Sequence, residues 1–191
     1  GESAEGTSTG TLPDEHVNLT VALGFQRPPT DKVALGNLVF MDTNSDGDFD
    51  PGVDMGIDNV TVQLFKAGEN PLLTIPTAIQ VTTGSGFYLF DELDPGQYFV
   101  YIPAQEFLSS GDLAGKISST PEGTDDGVDD NGNENGENAP VAGGTKSGTI
   151  NLQPGSEPTG EPGQGTYPGT LADENVNLTV DLGFEAIPDE K

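Results

Sequence analysis

The chain has no cysteine and no tryptophan, a single histidine, and only 6 lysines and arginines against 32 aspartates and glutamates. Each shortage removes a kind of chemistry. Without cysteine there are no disulfides and no thiolates, so a stable life outside the cell requires another kind of staple, and bound metal is one. The formal charge of −26 sets up a field that repels phosphate backbones and anionic bilayers, which makes nucleic acid a poor partner. No run of about eighteen apolar residues is present to span a membrane, and the first residues lack the basic and apolar regions of a secretory signal. The lone histidine, His16, lies in a repeated segment whose second copy has Asn175 in its place. A catalytic group needed in every repeat would not be replaced in this way, so no enzyme is expected.

What the chain does contain is turn-forming residues. It has 27 glycines and 15 prolines, with only 32% apolar residues, which predicts thin cores, many turns and few helices. Short apolar or alternating segments recur at Leu35 to Met41, Val60 to Lys66, Ile79 to Thr83, Phe87 to Phe90, Tyr98 to Ile102, Thr149 to Leu152 and Val176 to Phe184. Between them stand turn sequences such as Gly84-Ser-Gly86 and Asp94-Pro-Gly96. This spacing predicts an all-β fold, an antiparallel β-sandwich with long acidic loops. A helical turn is expected within Phe107 to Leu113. The rival reading of such a charged composition is disorder, and clustered acids that bind divalent cations are one way out of it.

An internal repeat frames the chain. GTLPDEHVNLTVALGF, Gly10 to Phe25, returns as GTLADENVNLTVDLGF, Gly169 to Phe184, with an offset of 159 and 13 of 16 positions identical. A period this long means whole domains in tandem. Residues 1–32 therefore read as the closing strand segment of a preceding repeat, and residues 33–191 as one full repeat. The N-terminal copy either marks where an array was cut, serving as a linker, or is a strand exchanged into a neighbouring copy.

The stretch MDTNSDGDFD, Met41 to Asp50, places Asp42, Asn44 and Asp46 at alternate positions, then Gly47, Asp48 and Asp50. Calcium takes six to eight hard oxygens, and alternate carboxylates around a sharp glycine turn can supply them in one shell, with Asp48 giving its carbonyl. The closing glutamate of the helix-flanked calcium loop is absent. Val53 stands in that place, and Asp54, one residue later, is the candidate to close the shell. The alternative is a solvated acidic turn. A second cluster, Thr124 to Asn138, offers Asp125, Asp126, Asp129, Asp130, Asn131 and Asn133. No register is dictated there, so it reads either as a second calcium site or as a solvated loop.

The stretches VALGNLVFMDTNSDGDFDPGVDMGIDNVTVQLF, Val33 to Phe65, and GFYLFDELDPGQYFVYIP, Gly86 to Pro103, resemble the B-type repeats (SdrD-like) of serine-aspartate-repeat bacterial surface adhesins. The later TDDGVDDNGNENGENAP and SGTINLQPGSEPTGE are similar to the longer form of that repeat. The resemblance implies a collagen-adhesin B-like sandwich, transthyretin-like or Ig-like, and tandem calcium-bound domains forming a rigid stalk outside the cell. It also implies Asp42, Asn44, Asp46, Asp48 and Asp50 as calcium ligands, with Asp54 in the place of the closing acid.

Some relatives lock the sandwich with a Lys-Asn isopeptide bond. Lys32 or Lys66 with Asn175 or Asn177 would be the pair, but Ile102 stands where the promoting acid is required, so no such bond is expected. The leading expectation is thus a structural repeat of an extracellular surface stalk or secreted fibre, partnered by neighbouring copies of itself. The alternative is a ligand-binding adhesin module contacting a host or glycan ligand through Tyr88, Tyr98, Tyr101 or Tyr167. Three sequons, at Asn18, Asn59 and Asn177, read as polar strand residues in a bacterial protein.

Overall fold

The computed structural model describes residues 31–119, 144–160 and 167–187. The N-terminal repeat copy and the second acidic cluster, with Asp125, Asp126, Asp129, Asp130, Asn131 and Asn133, lie outside these residues.

The first strand, β1 (Val33–Met41), is buried along nearly its whole length. Its near-continuous apolar sequence reflects burial on both faces. Val33, Leu35 and Val39 face the main core, while Ala34 joins a smaller cluster with Val176 and Leu178. Gly36 is required by close approach: a Cβ there would lie 2.4 Å from the Tyr88 carbonyl oxygen.

The chain then forms β2 (Met55–Gly56), β3 (Thr61–Lys66), β4 (Ala78–Val81), β5 (Phe87–Leu93) and β6 (Gly96–Ile102). These are followed by β7 (Lys116–Ser118), β8 (Thr145–Lys146), β9 (Ile150–Leu152), β10 (Val176–Asn177) and β11 (Leu182–Ala186).

Two sheets result. In the first, β1 is the centre: β5 and β2 pair with it antiparallel along one edge, β10 and β11 lie along the other, and β7 follows β11. In the second, β3 lies between β4 and β6, and β6 takes β9 and β8 on its far edge. Val62 and Leu64 of β3, Val100 and Ile102 of β6, and Leu152 meet Leu35, Phe90, Leu182 and Phe184 of the first sheet in one cluster. Burying each such side chain contributes about 1.5–3 kcal/mol. On the outer face of the second sheet Phe65 stacks on Phe99 at 5.5 Å, and Tyr101 meets Phe65 edge-on.

The all-β sandwich is the expected one, but its pairing is not antiparallel throughout. The expected strand Val176 to Phe184 runs parallel to β1, Ala34 opposite Val176 and Val39 opposite Leu182. The separation grows by one residue between these pairs, and the chain is interrupted there. At that irregularity Asp181 reaches in, and its Oδ1 accepts the Leu38 N–H at 2.8 Å. The helical turn lies at Ala104–Phe107, a 3₁₀ turn that meets the predicted stretch only at its first residue, Phe107. Pro103 immediately precedes it, presetting the turn's first corner.

Because β11 is parallel to β1, the chain enters this repeat at Val33 on one end of the sheet and leaves at Ala186 on the other.

Candidate metal centre

The acidic loop begins where β1 ends. Asp42 anchors it twice over: its N–H donates to the Phe184 carbonyl at 2.9 Å, and its carboxylate accepts the N–H groups of Ser45 (2.6 Å) and Gly47 (3.0 Å). The side chain is buried. Three residues of the loop hold positive φ, Ser45 at 59°, Gly47 at 97° and Gly52 at 93°. The glycine in the sixth place supplies the sharp turn without a Cβ penalty.

Asp54 closes the far side. Its Oδ1 accepts the Thr43 N–H and its Oδ2 the Asp50 N–H, each at 2.8 Å, so one carboxylate ties both ends of the loop together. It too is buried. The ring of Phe49 packs edge-on against Phe40 at 5.3 Å, fixing the loop's tip to the strand it left.

At the centre, Asn44 Nδ2 donates to Asp46 Oδ2 at 2.6 Å and to Asp50 Oδ2 at 3.0 Å. The amide nitrogen lies where two carboxylates converge, as a donor must when both neighbours are acceptors. Turning that amide over exchanges Nδ2 for Oδ1 and makes the meeting point all-oxygen. The Asp48 N–H donates to Asp46 Oδ1 at 3.2 Å.

The predicted residues Asp42, Asn44, Asp46, Asp48, Asp50 and Asp54 are thus gathered in one loop, with Asp54 bonded to both ends of it. Among the described residues no three His, Cys, Asp or Glu side chains are grouped so as to hold an ion. The carboxylates of Asp42 and Asp54 face backbone amides. The donor set, carboxylate and amide oxygens on a glycine turn, has the chemistry of a hard-cation site.

Elsewhere, carboxylates that the sequence reading did not single out do similar work. Asp58 Oδ1 accepts from Ser85 (2.9 Å) and Gly86 (2.7 Å), joining the turn after β2 to the hairpin before β5. Glu157 accepts the Gln153 N–H at 2.6 Å and Asn177 Nδ2 at 3.1 Å, while Asn177 Oδ1 accepts from the Thr179 hydroxyl at 2.8 Å. Only Asp181 left a trace in the sequence: it is one of the three positions at which the repeated strands differ, Ala22 against Asp181.

Lys32 is ion-paired with Asp94 at 2.7 Å. That hydrogen bond raises the lysine's pKa and holds the Asp94 carboxyl below its ordinary range. Lys66 is exposed, and Asn175 Oδ1 accepts from Gly155. Of the sequons, Asn177 is buried and Asn59 sits in an exposed turn at φ 66°.

The four tyrosines are not an exposed set. Tyr88, Tyr98 and Tyr101 are buried, and Tyr88 donates its hydroxyl to the Val180 carbonyl at 2.6 Å. Tyr167 is half-buried and donates to Asp91 at 2.7 Å. Burial, then that bond, push its pKa up to about 12. Among the described residues, no helix is long and apolar enough to cross a membrane.

Comparison with known proteins matches residues 33–155 to the family described as SdrD B-like domain. The chain is 38% identical over 109 residues to serine-aspartate repeat-containing protein I of Staphylococcus saprophyticus, covering 57% of this chain and 5% of that protein. It is 37% identical over 94 residues to serine-aspartate repeat-containing protein E of Staphylococcus aureus, covering 49% of this chain and 7% of the relative. Colossin-B of Dictyostelium discoideum is 39% identical over 70 residues, which is 35% of this chain and 2% of that protein. The chain therefore spans a small fraction of the length of these relatives.

Proposed function

Since the chain belongs to the SdrD B-like domain family, we propose that it is a structural repeat of an extracellular surface stalk or fibre, stiffened by calcium held in its acidic loop. The observation that carries this reading is the parallel pairing of β1 with β11, which puts the incoming and outgoing ends of the repeat at opposite ends of one sheet. A chain threaded in this way extends with each repeat instead of folding back, and neighbouring copies of the repeat are its partners.

The acidic loop is placed at the outgoing end. Asp42 is bonded through its N–H to Phe184 of the last strand, so whatever stiffens the loop also stiffens the strand that leads to the next repeat. Calcium would supply positive charge to a loop of carboxylates and neutralise part of their mutual repulsion. Asp46, Asp50 and the turned-over Asn44 amide would meet it first. Asp42 and Asp54 position the loop, through the amides of Ser45, Gly47, Thr43 and Asp50.

The test is thermal unfolding with saturating calcium and again after chelation. A ligand at about a hundred times its Kd stabilises a fold by about 2.7 kcal/mol, so the melting temperature should fall by several degrees when calcium is removed. An unchanged melting temperature refutes the calcium reading.

A further inference from the structure

One segment of this chain departs from the rest in charge. From Asn70 to Phe90 there is no Asp, Glu, Lys or Arg, although charged residues make up 20% of the sequence. The same segment carries the three most exposed large apolar side chains of the described residues, Leu72, Leu73 and Ile75 in the loop after β3, and two further exposed ones, Ile79 and Val81, on β4. Leu73 and Ile75 are 84% and 88% exposed, and even on the strand Ile79 is 56% exposed.

β4 is also an open edge. Among the described strands it pairs with β3 alone. Across that pair Ile79 lies opposite Gln63 and Val81 opposite Thr61. Since Val62 and Leu64 face the core, Ile79 and Val81 stand on the outer face of the sheet. Edge strands are ordinarily guarded by charge, proline or a bulge. Here the guards are Pro76, two residues before the strand, and the strand's short length.

We propose that a second copy of this chain pairs along β4, edge to edge and antiparallel, with the exposed leucines and isoleucines of the two loops covering one another. Charge selects this occupant. Two molecules of formal charge −26 repel wherever acidic surfaces meet, and this uncharged strip is where two copies approach with least penalty. A charged partner would find no countercharge in the strip. An antiparallel edge contact uses the same residues from both chains, which is the self-complementary geometry of a two-fold dimer.

This contact carries its own signature. Long-range repulsion between the copies is screened within about 8 Å at physiological ionic strength, whereas apolar contact is not weakened by salt. Association should therefore strengthen as salt is raised, and it should persist with calcium chelated, which separates its outcome from that of the calcium reading.

The experiment is sedimentation velocity on the full chain in chelator, across a range of protein and sodium chloride concentrations. The expected result is a species of twice 19.8 kDa that grows with both. Ile79→Lys should return the protein to monomer, with a melting curve that matches the parent's when both are measured dilute enough to be monomeric. Leu19→Lys, in the N-terminal repeat copy, should leave the dimer intact. The proposal is overturned by a parent chain that stays monomeric at high protein and high salt. It is equally overturned by a dimer that survives Ile79→Lys, and loss of such a dimer in Leu19→Lys would assign association to exchange of the N-terminal strand.

Discussion

Two loops of this sandwich each follow an inner β-strand, paired on both sides, and they invert the usual relation between polarity and exposure. After β1, the loop of Asp42 to Asp54 is crowded with acids, yet Asp42 is 1% exposed and Asp54 6%. After β3, the loop of Leu72 to Ile75 is apolar and faces water. The difference lies in backbone amides. The acidic loop folds its chain tightly enough to aim N–H groups at its carboxylates, and a carboxylate that accepts several such bonds loses little by leaving water. The apolar loop offers its leucines no neighbouring core.

The comparison is broken most severely at Asp42. Asp42→Ala removes the acceptor for both Ser45 and Gly47 and leaves the buried Gly47 N–H without a partner. Charge-assisted hydrogen bonds contribute about 1.5–3 kcal/mol each, so the two together contribute about 3–6 kcal/mol, and urea denaturation in chelator should show a net loss of about 2–4 kcal/mol. Relief of charge repulsion acts in the opposite direction. If Asp42→Ala proves neutral, repulsion outweighs hydrogen bonding in this loop, and the contrast between the two loops fails.

A smaller effect is expected at Asp91, where the uncharged segment has just ended. Tyr167 donates its proton there and must lose it at high pH. Its pKa in the folded protein, about 12, lies above the ordinary value of about 10. A raised pKa means that the folded state holds the proton more tightly. The stabilisation is therefore complete below pH 10 and is lost as pH rises from 10 to 12. The hydroxyl is only partly enclosed, so the loss should be on the order of 1 kcal/mol, discounted for solvent screening. Tyr167→Phe should flatten this part of the stability profile, and a parent profile already flat between pH 10 and 12 would exclude the effect.

Much of this was legible from residue types alone. Period-two alternation located most of the main strands, and the alternate placement of Asp42, Asn44 and Asp46 before Gly47 located the loop. The parallel direction of Val176 to Phe184 was not legible, because a strand's alternation is the same whichever way its partner runs. The short strands β2, β7 and β8 carry too few residues to show any period. Nor did spacing show what Asp58, Glu157 and Asp181 do, since each reaches an amide that only the tertiary fold brings near: Asp181 and Leu38 are 143 residues apart. The absent twelfth-position glutamate counted against a complete loop. Asp54 ties the loop by accepting the Thr43 and Asp50 N–H groups, which the positive-φ turn at Gly52 helps bring within its reach.

The smallest effect is expected in the apolar loop, and it sharpens the comparison from the other side. Leu73 is 84% exposed, so Leu73→Ser removes almost no buried surface, and exposed substitutions of this kind change stability by about 0.5 kcal/mol or less. Measured on dilute monomer, the unfolding free energy should stay within that range, while Asp42→Ala on the same day shows its several-fold larger loss. A substantial loss in dilute Leu73→Ser would mean that the leucine is buried in solution against part of its own chain. The two loops would then differ in composition but not in exposure, and the apolar strip would no longer be open to a second copy.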